Sequence, residues 1–220
     1  MSRVENVKST LRAAFAAGQS HETPYRHWFL DALLPDDIVR ELQAVPLPAP
    51  ELETSGTREA NNSTRQYFDA DNSVRFPAFA DVAAAFQAPD MIRTLGEVFG
   101  GRLDGSYLRI EYAQDTDGFW LHPHTDIGAK VFTMLLYLSG EPGHEALGTD
   151  IYRDRDTHAA RTAFRPNHAM VFIPANNTWH GFEPRPIPGV RQSIIINYVK
   201  PEWRAREQLA FPQDPVVSAA

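Results

Sequence analysis

The segment Leu121-His-Pro-His-Thr-Asp126 concentrates groups able to hold a metal ion. Residues two apart in an extended strand point to the same face, so His124 and Asp126 can converge on one point. A second imidazole, His180, lies in Asn176-Asn-Thr-Trp-His-Gly181, just after an apolar run that ends at Pro174. Two imidazoles and one carboxylate on one face leave other coordination positions open. That donor set suits Fe(II) better than magnesium or calcium, which prefer oxygen ligands. The chain has no cysteine. Disulfides, thiol catalysis and cysteine-held zinc or iron–sulfur sites are therefore excluded together, and any metal must rest on His, Asp or Glu.

Downstream, Arg191-Gln-Ser-Ile-Ile-Ile-Asn-Tyr198 reads as a strand with Arg191, Ser193, Ile195 and Asn197 on one face. A guanidinium fork and a hydroxyl on one face make a receptor for a carboxylate. A dicarboxylic cosubstrate would need such a receptor at the end away from the metal. Asn197 has two readings, as a residue lining that pocket or as a satisfied core amide.

Taken together, these residues resemble the 2-oxoglutarate/Fe(II)-dependent oxygenase superfamily, whose pattern is His-x-Asp, fifty-odd residues, His, ten residues, Arg-x-Ser. Here residues 127 to 179 separate Asp126 from His180, and residues 181 to 190 separate His180 from Arg191. Gly148-Thr-Asp-Ile-Tyr152 is similar to the family's Gly-Gly-x-Leu-x-x-Tyr segment, with Thr149 in place of the second glycine. The resemblance covers residues 105 to 200, more weakly Tyr25 to Val45, and in detail is to the prolyl-hydroxylase-like branch. It implies a double-stranded β-helix, a jelly roll. It implies Fe(II) on His124, Asp126 and His180. It also implies 2-oxoglutarate with its far carboxylate on Arg191, Ser193 and Tyr137, and Tyr112 as the tyrosine of the preceding strand. With O2 as co-reactant, the implied reaction hydroxylates a small-molecule or peptidyl substrate and releases succinate and CO2. A rival reading is a cupin-like jelly roll that binds a metal or ligand without turnover. It gives no reason for Arg191 and Ser193 at that offset.

Other residues have plainer readings. His122 also forms a same-face pair with His124, but only His124 is followed by an acidic residue two positions on, so His122 is placed at the strand edge or behind the ligands. His168 is a turn position, His144 and His158 lie in polar, solvated segments, and His21 and His27 flank a Pro-Tyr entry. Trp179 and Phe182 pack beside His180. Tyr112 and Tyr137 could be core aromatics, but a buried hydroxyl needs a partner, which a cosubstrate carboxylate would supply. Arg65 could meet an anionic substrate, though most loop arginines are solvated.

These residues need strands to position them. Tyr107 to Tyr112, Val131 to Leu138, Ala169 to Ile173 and Ser193 to Val199 are short β-rich runs between Gly, Pro, Asp and Asn clusters. Such a series without long intervening helices predicts a β-sandwich or jelly roll. The first hundred residues read as helical pieces. Val4, Val7, Leu11 and Phe15 have helical spacing, Asp36 or Asp37 caps a helix through Leu42, Phe79 to Phe86 is alanine-rich, and Asp90 caps Met91 to Phe99. Glu51 to Ser73 is polar, with Asn61-Asn62-Ser63-Thr64 at its centre, and reads as a long loop. The expected architecture is mainly β with flanking helices, in one domain. Residues 1–104 form a helical support, 105–200 the jelly-roll core and 201–220 a C-terminal tail, loose over its last ten residues.

Length and composition fit this. At 220 residues the chain can bury a full core. Its 43% hydrophobic and 22% charged residues are ordinary for a soluble protein. A net charge of −7 argues against a nucleic-acid partner. No apolar run approaches the ~18 residues of a membrane span, and the charged start MSRVENVKSTLRAAFAAG reads as a helix, not a secretory signal. A cytoplasmic location is expected, and nothing in the sequence specifies an oligomeric state.

Overall fold

The computed structural model describes residues 1–51, 56 and 65–219. In chain order its elements are α1 (Arg3–Ala16), β1 (Gln19–His21), β2 (His27–Asp31), α2 (Asp36–Gln43), β3 (Gln66–Tyr67), α3 (Ala70–Arg75), α4 (Pro77–Gln87) and α5 (Pro89–Phe99). There follow β4 (Tyr107–Asp115), β5 (Leu121–His124), β6 (Lys130–Tyr137), β7 (Asp150–Tyr152), β8 (His158–Arg161), β9 (His168–Phe172), β10 (His180–Phe182) and β11 (Arg191–Val199). The helices start and stop where local chemistry directs. Ser2 accepts the Glu5 amide ahead of α1, α4 and α5 each begin with a proline in the first turn, and Gly100 ends α5 with a left-handed φ of 82°.

The strands form two antiparallel sheets. The major sheet has the order β1-β2-β9-β6-β11-β4-β3 and the minor sheet β5-β10-β7-β8. Together with the flanking helices they make a jelly-roll-like core. Three adjacent long strands, β6, β11 and β4, divide their side chains by parity. Leu108, Ile110 and Tyr112 of β4, Phe132, Met134 and Leu136 of β6, and Ile194, Ile196 and Tyr198 of β11 are buried with the apolar faces of the helices. The alternate residues face the minor sheet.

Several expectations change. The first hundred residues are not only helical, because β1, β2 and β3 belong to the major sheet. β2 is recognisable only through its partner, which pairs Phe29 with Met170 far along the chain. The centre of the expected Glu51–Ser73 loop lies outside the described residues, but its end contains β3 and α3. Phe68 stacks on Phe79 at 3.7 Å, and Asp69 caps α3 by accepting the Asn72 amide. Pro35 and Ala88 occupy the N-cap positions expected of acidic residues; Asp36, Asp37 and Asp90 sit in the first turns, where carboxylates suit the helix dipole. No helix among the described residues is long and apolar enough to cross a membrane.

The tail is docked, not loose. Val216 is 1% exposed, its amide donates to Ser106 O at 2.8 Å, and its carbonyl accepts from Gly105 at 2.9 Å. Ser218 donates to Asp104. Truncation after Pro212 is expected to cost about 2–3 kcal/mol, from one buried valine and its backbone bonds. Urea unfolding measures this, and an unmoved midpoint would show that the docking contributes nothing.

Candidate active site

The minor sheet brings the two histidines together. β5 and β10 pair with His124 opposite His180, and the rings lie 4.4 Å apart centroid to centroid. Asp126 follows β5, and ligand atoms of His124, Asp126 and His180 all lie within 4.8 Å of one another. His124 Nδ1 meets His122 O at 2.8 Å and His180 Nδ1 meets Thr178 O at 2.9 Å. Those bonds fix the tautomer and leave Nε2 of each ring as the nitrogen able to ligate. His122 is exposed against Trp120, and its carbonyl orients His124.

Electrostatics keep His180 and Asp126 in ligating form. Burial first, then the neighbouring His124, pushes the His180 pKa down to about 4, so the ring is neutral at neutral pH. Burial alone would raise the Asp126 carboxyl. The charges of Lys130 and His180, with hydrogen bonds from Lys130 and Thr133, instead hold it well below the usual carboxylate range. Lys130 Nζ lies 2.5 Å from Asp126 Oδ1, and Thr133 Oγ1 donates to Oδ2 at 2.6 Å. Asn197 Nδ2 in turn donates to Thr133 Oγ1 at 3.0 Å, and Asn197 Oδ1 accepts from Arg109. Asn197 is thus a satisfied amide that supports the carboxylate's partner. Nε2 of His124, the neutral imidazole of His180 and a carboxylate fixed by Lys130 and Thr133 are a donor set that fits a transition metal.

A cavity of about 540 Å³ runs from this cluster to the other end of β11, and Tyr137, Arg191 and Ser193 line it. Arg191 Nη1 donates to Asp115 Oδ2 at 2.5 Å and Nε to Leu147 O at 2.8 Å. Its guanidinium lies over the Phe182 ring at 4.8 Å. The Tyr137 hydroxyl already has two protein partners, Thr149 Oγ1 at 2.8 Å and Thr162 Oγ1 at 2.7 Å. This buried hydroxyl is therefore satisfied without a ligand. Thr149 belongs to the Gly148-Thr-Asp-Ile-Tyr152 segment. Gly148 is needed there because a Cβ would lie 1.8 Å from Thr162 O.

Tyr112 is a correction. It faces the helices, 1% exposed, with its hydroxyl donating to Leu42 O at 2.9 Å and its ring against Phe79. The parity of Leu108 and Ile110 on the same strand could have revealed this. His144, expected in solvent, is 1% exposed between Ser139 and Pro188 O, and His168 is a buried strand residue paired with Asp31. Arg65 is buried as well, not solvated, and lines the cavity. Glu111 and Asp115 were missed, although alternation on β4 marks them with Arg109 as its polar face. Lys130, Trp203 and Gln208 carry no local signal. A second grouping, Asp150, His158 and Glu183, gathers possible ligands on the minor sheet. Arg161 and Arg185 already neutralise Asp150 there, so the cluster is an ion-pair network.

No family model and no curated protein matches the sequence. Solved structures do match. A Pseudomonas putida prolyl-4-hydroxylase shares 14% identity over 88% of this chain and 98% of that one, with a TM-score of 0.56. A prolyl hydroxylase from Trichoplax adhaerens, in complex with a hypoxia inducible factor peptide fragment, shares 12% identity over 90% of each chain, with a TM-score of 0.57. HygX from Streptomyces hygroscopicus, with nickel and 2-oxoglutarate bound, shares 13% identity over 88% and 90%, with a TM-score of 0.51. Identities this low speak to architecture. The chain shares the jelly-roll fold of these prolyl hydroxylases and of HygX, the fold that the sequence resemblance implied.

Two measurements follow. Between pH 6.5 and 4 the unfolded chain binds a proton that folded, metal-free His180 refuses, so stability falls as the pH drops through that window. The share from His180 is on the order of 3 kcal/mol. His27 and His168, also held low by burial, act in the same direction. The difference between wild type and His180→Asn in urea unfolding at both pH values isolates the His180 share, and identical slopes would refute it. Tyr112→Phe should cost about 1 kcal/mol through the lost bond to Leu42 while leaving carboxylate binding in the cavity unchanged. A changed binding constant in calorimetry would return Tyr112 to the pocket.

Proposed function

We propose that the protein is an Fe(II)- and 2-oxoglutarate-dependent dioxygenase that hydroxylates a peptidyl or small-molecule substrate, with release of succinate and CO2. One observation carries this reading. The His124, Asp126 and His180 cluster shares a single cavity with Arg191 and Ser193. A metal-binding cupin-like protein without turnover has no use for the second group.

In this reading His124 Nε2, Asp126 and His180 Nε2 hold the iron. When bound, it would supply the activation of dioxygen and the oxidative decarboxylation of the cosubstrate. The chain's own residues bind and orient. Lys130 and Thr133 hold the Asp126 carboxylate in one orientation, and the carbonyls of His122 and Thr178 aim the imidazoles. Arg191 and Ser193 receive the distal carboxylate of 2-oxoglutarate, with Tyr137, fixed by Thr149 and Thr162, as a wall beside them. Phe119, Leu121, Leu135 and Phe182 line the cavity with apolar surface and keep water from the reacting groups. A peptidyl substrate is the kind bound in the Trichoplax adhaerens neighbour. Trp203 and Gln208, from the segment after β11, also line the cavity and are proposed to meet the substrate.

The test is spectroscopic. Anaerobic Fe(II) with 2-oxoglutarate should give a weak visible charge-transfer band in the wild type. Arg191→Ala should weaken 2-oxoglutarate binding about 30-fold or more, the loss of charge-assisted hydrogen bonds, with little change in metal affinity. A folded, iron-loaded protein without the band would sink the oxygenase reading, and an unaltered 2-oxoglutarate affinity in Arg191→Ala would sink the receptor assignment.

A further inference from the structure

Asp115 is held by two guanidiniums at once. Arg65 Nη2 lies 2.7 Å from its Oδ1 and Arg191 Nη1 lies 2.5 Å from its Oδ2. Arg65, Asp115 and Arg191 are 5%, 2% and 6% exposed, so the triad is buried, yet both arginines line the cavity. Two cations on one carboxylate leave a net positive charge. The nearby Glu111, 3.5 Å from Arg65 Nε, is closer to Arg109 at 2.8 Å. Among the described residues here, three arginines thus face two carboxylates. An uncompensated buried charge is costly, and one more anion would balance the described residues here.

The orphaned atoms and the strand register say where that anion sits. Arg65 Nη1 is buried and has no hydrogen-bond partner among the described residues. On β4, Glu111 and Asp115 flank Ala113, which the register sets beside Ser193, with Tyr137 on the far side of Ser193. Arg65 reaches from Glu111 to Asp115 and therefore lies across Ala113, where only a methyl group occupies the floor. It flanks Ser193 opposite Tyr137, and its other face packs toward Phe119 at 5.3 Å.

We propose that Arg65 is a second guanidinium of the cosubstrate receptor, binding the distal carboxylate of 2-oxoglutarate together with Arg191 and Ser193, and that Asp115 is the carboxylate this ligand competes with. The proposal rests on the oxygenase reading above. A carboxylate is the chemistry that fits, being a single negative charge with two oxygens to span two guanidiniums. Asp115 keeps the two cations from repelling one another before the ligand arrives, and it shares them afterwards.

The two roles predict opposite signs in calorimetric titration of the nickel-loaded protein. Arg65→Gln should weaken 2-oxoglutarate binding about tenfold or more. It should leave 2-oxobutyrate, which lacks the distal carboxylate, unchanged. Asp115→Asn should tighten 2-oxoglutarate binding, because a competing charge is lost while the shape stays. A merely structural triad would weaken both ligands in both variants. Nickel stoichiometry and circular dichroism establish that each variant is folded. Wild-type 2-oxoglutarate affinity in Arg65→Gln, equal loss of 2-oxobutyrate binding, or weaker binding in Asp115→Asn would each overturn the proposal. If nickel-loaded wild type bound no 2-oxoglutarate, the oxygenase reading would fall, and this assignment with it.

Discussion

Adjacent side chains on a strand point to opposite faces, and the three longest strands of the major sheet, which lie side by side, obey that constraint with a sharp division of chemistry. On β4, β6 and β11 one set of alternate residues is apolar and seals against the helices. The other set carries Arg109, Glu111, Asp115, Thr133, Tyr137, Arg191, Ser193 and Asn197 toward the minor sheet. A slip of one residue in any of these strands would send its charged groups into the helical core and its isoleucines or leucines into the cavity. The apolar burial that stabilises the sandwich therefore also sets the positions of the polar groups.

Placing so many charges between two sheets is possible because nearly all of them are paired. Asp126 is held by Lys130 and Thr133, Glu111 by Arg109, Asp115 by two arginines, and Asp150 by Arg161 and Arg185. Such networks add little net stability over apolar packing, while removal of one partner typically costs about 3–5 kcal/mol. Their contribution is positional. A carboxylate fixed by an ammonium and a hydroxyl presents one orientation to a metal, and an imidazole fixed by a carbonyl presents one nitrogen. The similar gathering of donors at Asp150, His158 and Glu183 differs in that two arginines already pair with Asp150.

Much of this architecture is legible in the amino-acid sequence. The four β-rich runs correspond to β4, β6, β9 and β11, because each is long enough for its composition to stand out. The minor-sheet strands β5, β7, β8 and β10 have three or four residues apiece and fell below that threshold. β2 was hidden for another reason: its hydrogen bonds are made to β9, and nothing within residues 27–31 announces the partner. The docked tail is similar, since Val216 is indistinguishable from a disordered valine until Ser106 and Gly105 stand beside it.

For the candidate site the dividing line is the same. Strand periodicity and chain order alone group His124 with Asp126, set the offset to His180, and put Arg191 and Ser193 on one face. Those relations are local. Only the tertiary structure decided that His124 stands opposite His180 within ligating reach, that the Tyr137 hydroxyl belongs to Thr149 and Thr162, and that Tyr112 looks toward Leu42. It alone also brought Arg65 to Asp115 and Asn197 to Thr133. Periodicity tells a residue which way to face; what it meets there depends on which distant strand folds against it.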